Sequence, residues 1–167
     1  MNEPGMATDR KSLFDVAMAT PTGFLACGMG SGLAPVAPGT AGTIAALPFG
    51  VLIAAVPIWV GLGIVALAFL LGIHLCGETS RRLGVHDHGG IVWDEFVGFW
   101  LIILFLPFDW VWWLAAFALF RVFDAVKPWP IRWIDRRVAG GFGIMLDDVL
   151  AAGYALAVLA LAAWVFG

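Results

Sequence analysis

Charge is what this sequence most lacks. No Asp, Glu, Lys or Arg occurs from Val16 to Gly77, and none from Val149 to the C-terminus. Only 13% of the 167 residues are charged, against ~25% in an ordinary soluble domain. With 62% hydrophobic residues and a mean hydropathy of +0.95, a chain of this size cannot hide its apolar side chains in a water-soluble core. Lipid is the expected solvent. Cysteine is scarce too. Cys27 and Cys76 lie in apolar surroundings, which excludes a disulfide framework and leaves two packed thiols. The net charge of −3, with no basic run interleaved with aromatics, gives no case for a nucleic acid partner. No cleavable signal sequence is legible, since Asp15 and Pro21 interrupt the stretch after Arg10 and Lys11.

Residues 1–11 are polar and read as a flexible N-terminus, followed by a single membrane-embedded domain over 12–167. Residues 12–29 predict an amphipathic surface helix broken near Pro21. Residues 30–43, GSGLAPVAPGTAGT, read as an ordered loop because glycine and proline dominate. The apolar stretch 43–76 is split by Pro57 into helices over roughly 43–56 and 58–78, with Pro48 kinking the first or marking a later start. A polar loop over 79–90 leads to helices over 91–106 and 110–125. A basic stretch and a glycine cluster fill 126–143, and a last helix spans 144–166. The expected fold is all-α: an integral membrane bundle of four or five membrane helices plus the amphipathic N-terminal helix. Several of these spans have only 14–16 residues, short of the ~20 needed for a full crossing. Either the helices extend into the neighbouring loops or some of them lie tilted and shallow.

Threading the helices back and forth puts every basic residue on one face: Arg10, Lys11, Arg81, Arg82, Arg121, Lys127, Arg132, Arg136 and Arg137. The positive-inside rule makes that face cytoplasmic. The opposite turns, at Pro57 and Pro107–Asp109, carry no Lys or Arg. Beside them stand Trp59, Trp110, Trp112 and Trp113, as in an interfacial belt.

The same threading gathers the acids. Asp94 and Glu95 open the third helix, Asp124 closes the fourth, and Asp147 and Asp148 open the last. Ionisable groups next to long apolar runs are expensive and mark function. A helix dipole accounts for Asp94 or Asp147, at about 0.3–1 kcal/mol each, but disfavours Asp124 at a C-terminus. Converging carboxylates repel unless something neutralises them. An all-oxygen ligand set favours Mg²⁺ or Mn²⁺ over zinc, and Mg²⁺ keeps positions for water and phosphate oxygens. All five acids are therefore candidate catalytic and metal-binding residues.

Candidate phosphate-binding groups flank them. Ser31, Gly39, Thr40, Gly42 and Thr43 belong to the glycine-rich stretch ahead of a helix, which offers N–H and hydroxyl donors to an anion or simply caps the helix. Lys127 and Arg132 either bind phosphate charge or anchor the chain by the positive-inside rule. Arg136 and Arg137 read as anchors or lipid-headgroup contacts. His86, Asp87 and His88 form a loop with auxiliary acid–base capability, but only half a zinc site. His74 reads as packing. Cys76 and Arg82 match the C-x5-R spacing of cysteine phosphatases. Glu78 inside that spacing would repel phosphate, and the helical run before it supplies no strand-to-loop context.

Three ordered blocks, GSGLAPVAPGTAGT, VHDHGGIVWDEFVGFW and FRVFDAVKPWPIRWIDRRVAGGFGIMLDDVLAAG, closely resemble the phosphatidylglycerophosphatase A family, from about Gly28 to Gly153. The resemblance implies an all-helical, Mg²⁺-dependent phosphatase of the bacterial inner membrane. Its lipid substrate would be phosphatidylglycerophosphate and its product phosphatidylglycerol. It also points to Asp94, Glu95, Asp124, Asp147 and Asp148 as the acidic site. Whether water or an aspartate attacks phosphorus stays open, although the usual D-x-D-x-[TV] motif of aspartyl-phosphate enzymes is absent. Two other classes compete: a small ion or solute transporter with acids at the helix ends, and a phosphatidyltransferase, whose D-G-x-x-A-R type signature is missing. The sequence does not fix the oligomeric state.

Overall fold

A computed structural model describes residues 12–166. The flexible N-terminus expected over 1–11, with Arg10 and Lys11, lies outside them. The described chain is all-helical, without strands among the described residues. The described residues form eight α-helices, in order α1 Leu13–Ala19, α2 Pro21–Ala26, α3 Pro38–Ala54, α4 Ile58–Leu83, α5 Trp93–Ile103, α6 Trp110–Val126, α7 Ile131–Arg137 and α8 Gly140–Phe166. A 3₁₀ segment, Gly28–Leu33, joins α2 to α3.

Local chemistry explains most of the boundaries. Ser12 and Asp15 form a capping box at the start of α1. Thr20 caps α2, and Pro21 sits in its first turn, where a missing N–H costs nothing. The single helix expected over 12–29 is therefore two short helices and a 3₁₀ turn. Pro38 starts α3 in the same way, five residues ahead of the boundary expected at 43. Gly39, Thr40, Gly42 and Thr43 accordingly lie in the first turns of a helix instead of a loop. Pro48 is carried inside α3 without ending it. Gly84 stops α4 in the left-handed region at φ 70°, a conformation open to glycine. Asp109 caps α6 by accepting from the Val111 and Trp112 N–H groups. The region expected as a basic loop contains α7. The glycine cluster opens α8, where Gly141 packs against the Ile73 carbonyl and the Gly77 nitrogen of α4. A side chain at Gly141 would push these two helices apart.

Helix α5 is apolar on every side apart from Asp94 and Glu95, and a helix of that kind is a core element. Its residues from Trp93 to Trp100 are all buried. Helices α3, α4, α6 and α8 pack around it. The Trp93 indole donates to the Ala68 carbonyl of α4 at 3.0 Å, and the Trp100 indole to the Ala46 carbonyl of α3 at 2.9 Å. These bonds satisfy both buried polar atoms and fix the rotation of α5, which sets the direction of its two acids.

Among the described residues, two helices are long and apolar enough to cross a membrane: Ile58–Leu83 and Gly140–Val165. Helices α3 and α6 have 17 residues each and α5 has 11. At 1.5 Å per residue, α5 covers only about 16 Å. The all-helical expectation holds, and two of the expected four or five membrane helices reach the length of a full crossing. The short α5 is enclosed by its neighbours.

Candidate active site

The start of α3, the loop after α4, the start of α5, the end of α6 and the second turn of α8 meet at one end of the bundle. They enclose a cavity of about 330 Å³. Six carboxylates line it, Asp87, Asp94, Glu95, Asp124, Asp147 and Asp148, against two cations, Arg121 and Lys127. Asp94, Glu95, Asp147 and Asp148 are all buried.

Each acidic doublet is braced by its own backbone. Asp94 Oδ1 accepts from the Glu95 N–H and Asp147 Oδ1 from the Asp148 N–H, both at 3.0 Å. Arg121 then ties α5 to α6. Its Nη1 lies 2.9 Å from Glu95 Oε1 and 2.7 Å from Asp124 Oδ2, the latter one turn further along the same helix. The other Glu95 oxygen lies 3.1 Å from Thr43 Oγ1, which also lies 3.0 Å from the Gly39 carbonyl. Its one hydrogen serves one of these acceptors at a time.

Lys127 caps α6 in the left-handed region, at φ 46°. Its Nζ donates to Asp147 Oδ2 and to Asp135 Oδ1, with Asp87 Oδ2 3.9 Å away. Burial opposes the charge on Lys127, but Asp147 and Asp135 outweigh it and hold the ammonium above its ordinary range.

The charge is not balanced. Asp94 and Asp148 meet no cationic side chain among the described residues, and Asp148 Oδ2 is buried without a hydrogen-bond partner. An orphaned carboxylate oxygen in a cavity with excess negative charge suits a hard, oxygen-ligated cation. Asp87, Asp135 and Asp147 also bring one oxygen each within 4.8 Å of one another. Both groups share their oxygens with a cation of the protein, Lys127 with Asp147 and Asp135 and Arg121 with Asp124, whereas Asp94 and Asp148 do not.

The sequence profile of Phosphatidylglycerophosphatase A matches residues 24–163, a span that contains every residue lining the cavity. The chain belongs to the phosphatidylglycerophosphatase A family. It is similar to the phosphatidylglycerophosphatase A of Escherichia coli K12, 50% identical over 135 residues that cover 80% of this chain and 78% of that one. It is also similar to the phosphatidylglycerophosphatase A of Haemophilus influenzae Rd, 49% identical over 154 residues that cover 91% and 94%. No solved structure matches it. The chain is therefore a phosphatase, a hydrolase of phosphoric monoesters, and the transporter alternative gains no support.

In this phosphatidylglycerophosphatase A family member all five expected acids line the cavity, together with Gly39, Asp87 and Lys127. The expected cradle of loop hydroxyls needs correcting. Ser31 Oγ donates to the Gly28 carbonyl at 2.8 Å and closes the 3₁₀ turn. Thr40 does not line the cavity. Gly42 is packed so tightly that a Cβ there would come 2.6 Å from Val92 Cβ and 2.9 Å from Glu95 Oε2. Thr43 is fully buried and serves Glu95. The Ser31 and Thr43 hydroxyls are thus committed within the protein, while Gly39, in the first turn of α3, lines the cavity. Arg132 donates to the Val126 carbonyl at 3.3 Å and lines a separate groove. His86 is exposed, and His88 Nδ1 accepts from the Gly90 N–H, which shapes the loop.

Two site residues have no clear signature in the sequence. Arg121 stands there only as a basic residue, although its i,i+3 spacing to Asp124 is a legible pairing signal. Asp135, between Arg132 and Arg136, leaves no signal, because only the turn after α6 brings it to Lys127. The C-x5-R pair falls apart in three dimensions. Cys76 is buried in α4 with its Sγ 3.8 Å from Met145 Sδ, while Arg82 binds Glu78 at 2.7 Å. Cys27 is buried as well, and burial pushes its thiol up to about 11, which makes it inert at neutral pH.

Proposed function

We propose that this protein hydrolyses the terminal phosphomonoester of phosphatidylglycerophosphate to give phosphatidylglycerol, at the cytoplasmic face of a bacterial inner membrane. The observation that carries the reading is the cavity itself. It holds six carboxylates against two cations and one buried, unpartnered oxygen on Asp148. The relatives named phosphatidylglycerophosphatase A, at about 50% identity, support the substrate.

A membrane setting is supported by what the helices leave outside. Only 28% of the apolar window of α4, and the same share of α8, is buried. Leu67, Leu70, Leu161 and Trp164 are 60% to 82% exposed. An apolar exterior of this kind needs lipid. Trp59 and Trp110 are exposed at the helix starts away from the acids, and Trp129 and Trp133 at the acidic end. The shorter α3 and α6 likewise expose apolar side chains, Ile44 and Leu52 on one and Leu114 and Val122 on the other, and so add to that exterior, while α5 stays enclosed. The basic residues at the acidic end support a cytoplasmic orientation for that end.

Asp94, Asp124 and Asp148, with Asp147 and Glu95 beside them, would hold Mg²⁺. When bound, the ion would offset the carboxylate charge and favour entry of a phosphate dianion. Arg121 fixes Glu95 and Asp124 relative to each other, so α5 and α6 present their acids in one geometry. Lys127 does the same for α8 and places a positive charge at the wall where phosphate enters. Positioning and charge neutralisation are the main contributions expected of a protein to phosphoryl transfer. Water attacks phosphorus, the P–O bond to glycerol breaks, and the leaving oxygen takes up a proton. The charge left by these acids suits deprotonation of water, one carboxylate accepting the proton.

Phosphate release from phosphatidylglycerophosphate in detergent micelles tests the reading, with Mg²⁺ or with EDTA, for wild type, Asp124→Asn and Cys76→Ser. Metal-dependent release that is lost in Asp124→Asn and kept in Cys76→Ser supports it. Release that ignores EDTA and requires Cys76 overturns it.

A further inference from the structure

Beyond the acidic cavity lies a second, larger concavity of about 580 Å³ at the same end of the bundle. It runs along α7 and the turn before it. Lys127 belongs to the lining of both, so the two are neighbours with one lysine as common wall. The groove differs from the cavity in charge. Arg132, Arg136 and Arg137 line it, and none of the three makes an ion pair among the described residues. Asp135, the acid within the same helix, is turned away and committed to Lys127 at 2.9 Å.

The groove is also built. Tyr154 of α8 donates to the Trp129 carbonyl at 2.9 Å and holds the turn in place. Arg132 is anchored on the Val126 carbonyl. Arg137 lies 5.1 Å from the centre of the Trp133 ring, a cation–π arrangement that limits its freedom. Trp129 is 80% exposed and Trp133 50%. Two open indoles beside guanidinium groups that lack an ion-pair partner among the described residues match the level of lipid headgroups, where a ring meets the acyl boundary and a cation meets phosphate.

We infer that this arginine groove binds the inner phosphodiester of the lipid substrate while the acidic cavity takes its terminal phosphomonoester. The inference rests on the proposed substrate, which carries two phosphates joined by one glycerol. The two sites have the complementary order: an acid-rich cavity suited to a cation and a dianion, then Lys127, then three unpaired arginines suited to a monoanion. A phosphodiester between the acyl tails and the reacting phosphate would lie beside the interfacial tryptophans. The groove thereby selects lipids with a diester ahead of the monoester, over lipids whose only phosphate is the monoester.

The test compares phosphatidylglycerophosphate with an analogue whose inner diester is a neutral methylphosphonate, in neutral detergent micelles. Wild type, Arg132→Gln, Arg136→Gln and the double variant are assayed for phosphate release. On the natural lipid each substitution raises KM about tenfold and leaves kcat unchanged, as expected for lost uniform binding. On the analogue, wild-type KM is already raised and the substitutions add little, because arginine and diester charge act as a pair. If the substitutions raise KM equally on both lipids, the arginines hold something other than this diester, such as a bulk anionic lipid, and the inference is overturned. If they change neither, it is overturned as well. Wild type inactive on both lipids removes the proposed substrate instead, and the groove assignment with it.

Discussion

Lys127 Nζ donates a hydrogen bond to Asp147 Oδ2, a residue 20 positions further along the chain. The bond joins the end of α6 to the second turn of α8 across the mouth of the acidic cavity. Asp147 is almost inaccessible, with 4% of its side chain exposed, so the pair is partly desolvated. It couples the geometry of the site to the packing of two helices.

Lys127→Met removes the only cation that Asp147 and Asp135 share among the described residues. Leaving a buried carboxylate without its partner costs on the order of 3 kcal/mol. The variant is expected to unfold at lower temperature in detergent and to lose most of its phosphate release. Lys127→Arg keeps the charge but cannot place a planar fork among the same oxygens, so its activity should fall between the two. Unfolding temperature and kcat/KM, measured side by side, check this order.

Asp148→Asn keeps shape and removes one charge from a residue whose Oδ2 has no protein partner. No hydrogen bond seen at that oxygen is lost, so the fold should hold. If the oxygen serves a cation, the Mg²⁺ concentration for half-maximal activity rises by about 10–100-fold. A titration of activity against Mg²⁺ with an unchanged half-point would remove Asp148 from the proposed ligand set.

Thr43→Val preserves volume and deletes the hydroxyl that faces Glu95 Oε2 at 3.1 Å. A buried acceptor left unpaired costs about 1–3 kcal/mol. Stability should drop by that order and phosphate release by severalfold, with KM little changed. Thr43→Ser should restore both. A large rise in KM alone would return Thr43 to the phosphate-binding role suggested by its place in the glycine-rich stretch.

Gly39→Ala tests the closeness of α3 to the site. A Cβ there would lie 2.5 Å from Arg121 Nη2 and press on Glu95 Oε1. The Arg121–Glu95 pair has to move, and displacement of a site by about 1 Å can cost around 100-fold in rate. Loss of activity without loss of folded protein, read by circular dichroism and size-exclusion chromatography, is the expected outcome.

Much of this was legible in the chain because its physics is local. The absence of charge from Val16 to Gly77 reads as apolar helices, since a long apolar run away from water must satisfy its backbone within itself. The acids stand out for the same reason: Asp94, Glu95, Asp124, Asp147 and Asp148 are conspicuous against apolar neighbours, and alternating helix directions bring their ends together. Boundaries were harder to read. Glycine and proline usually break helices, so Pro38, Gly39 and Gly42 read as a loop. In the fold Pro38 opens α3, and the glycines let that helix press against Glu95 and Val92.

The sequence alone determined an all-helical, strongly apolar chain with five acids beside its apolar runs, because hydropathy and helix period act over neighbouring residues. The tertiary structure decided which charges meet. Arg121 bridges α5 and α6, Asp135 reaches Lys127 from α7, and Thr43 serves Glu95 from 52 residues away. It also parted Arg132 from the acids and put it in a groove of its own. Such pairings depend on helix rotation and the turn after α6, set by packing around the buried α5, and no local pattern encodes them.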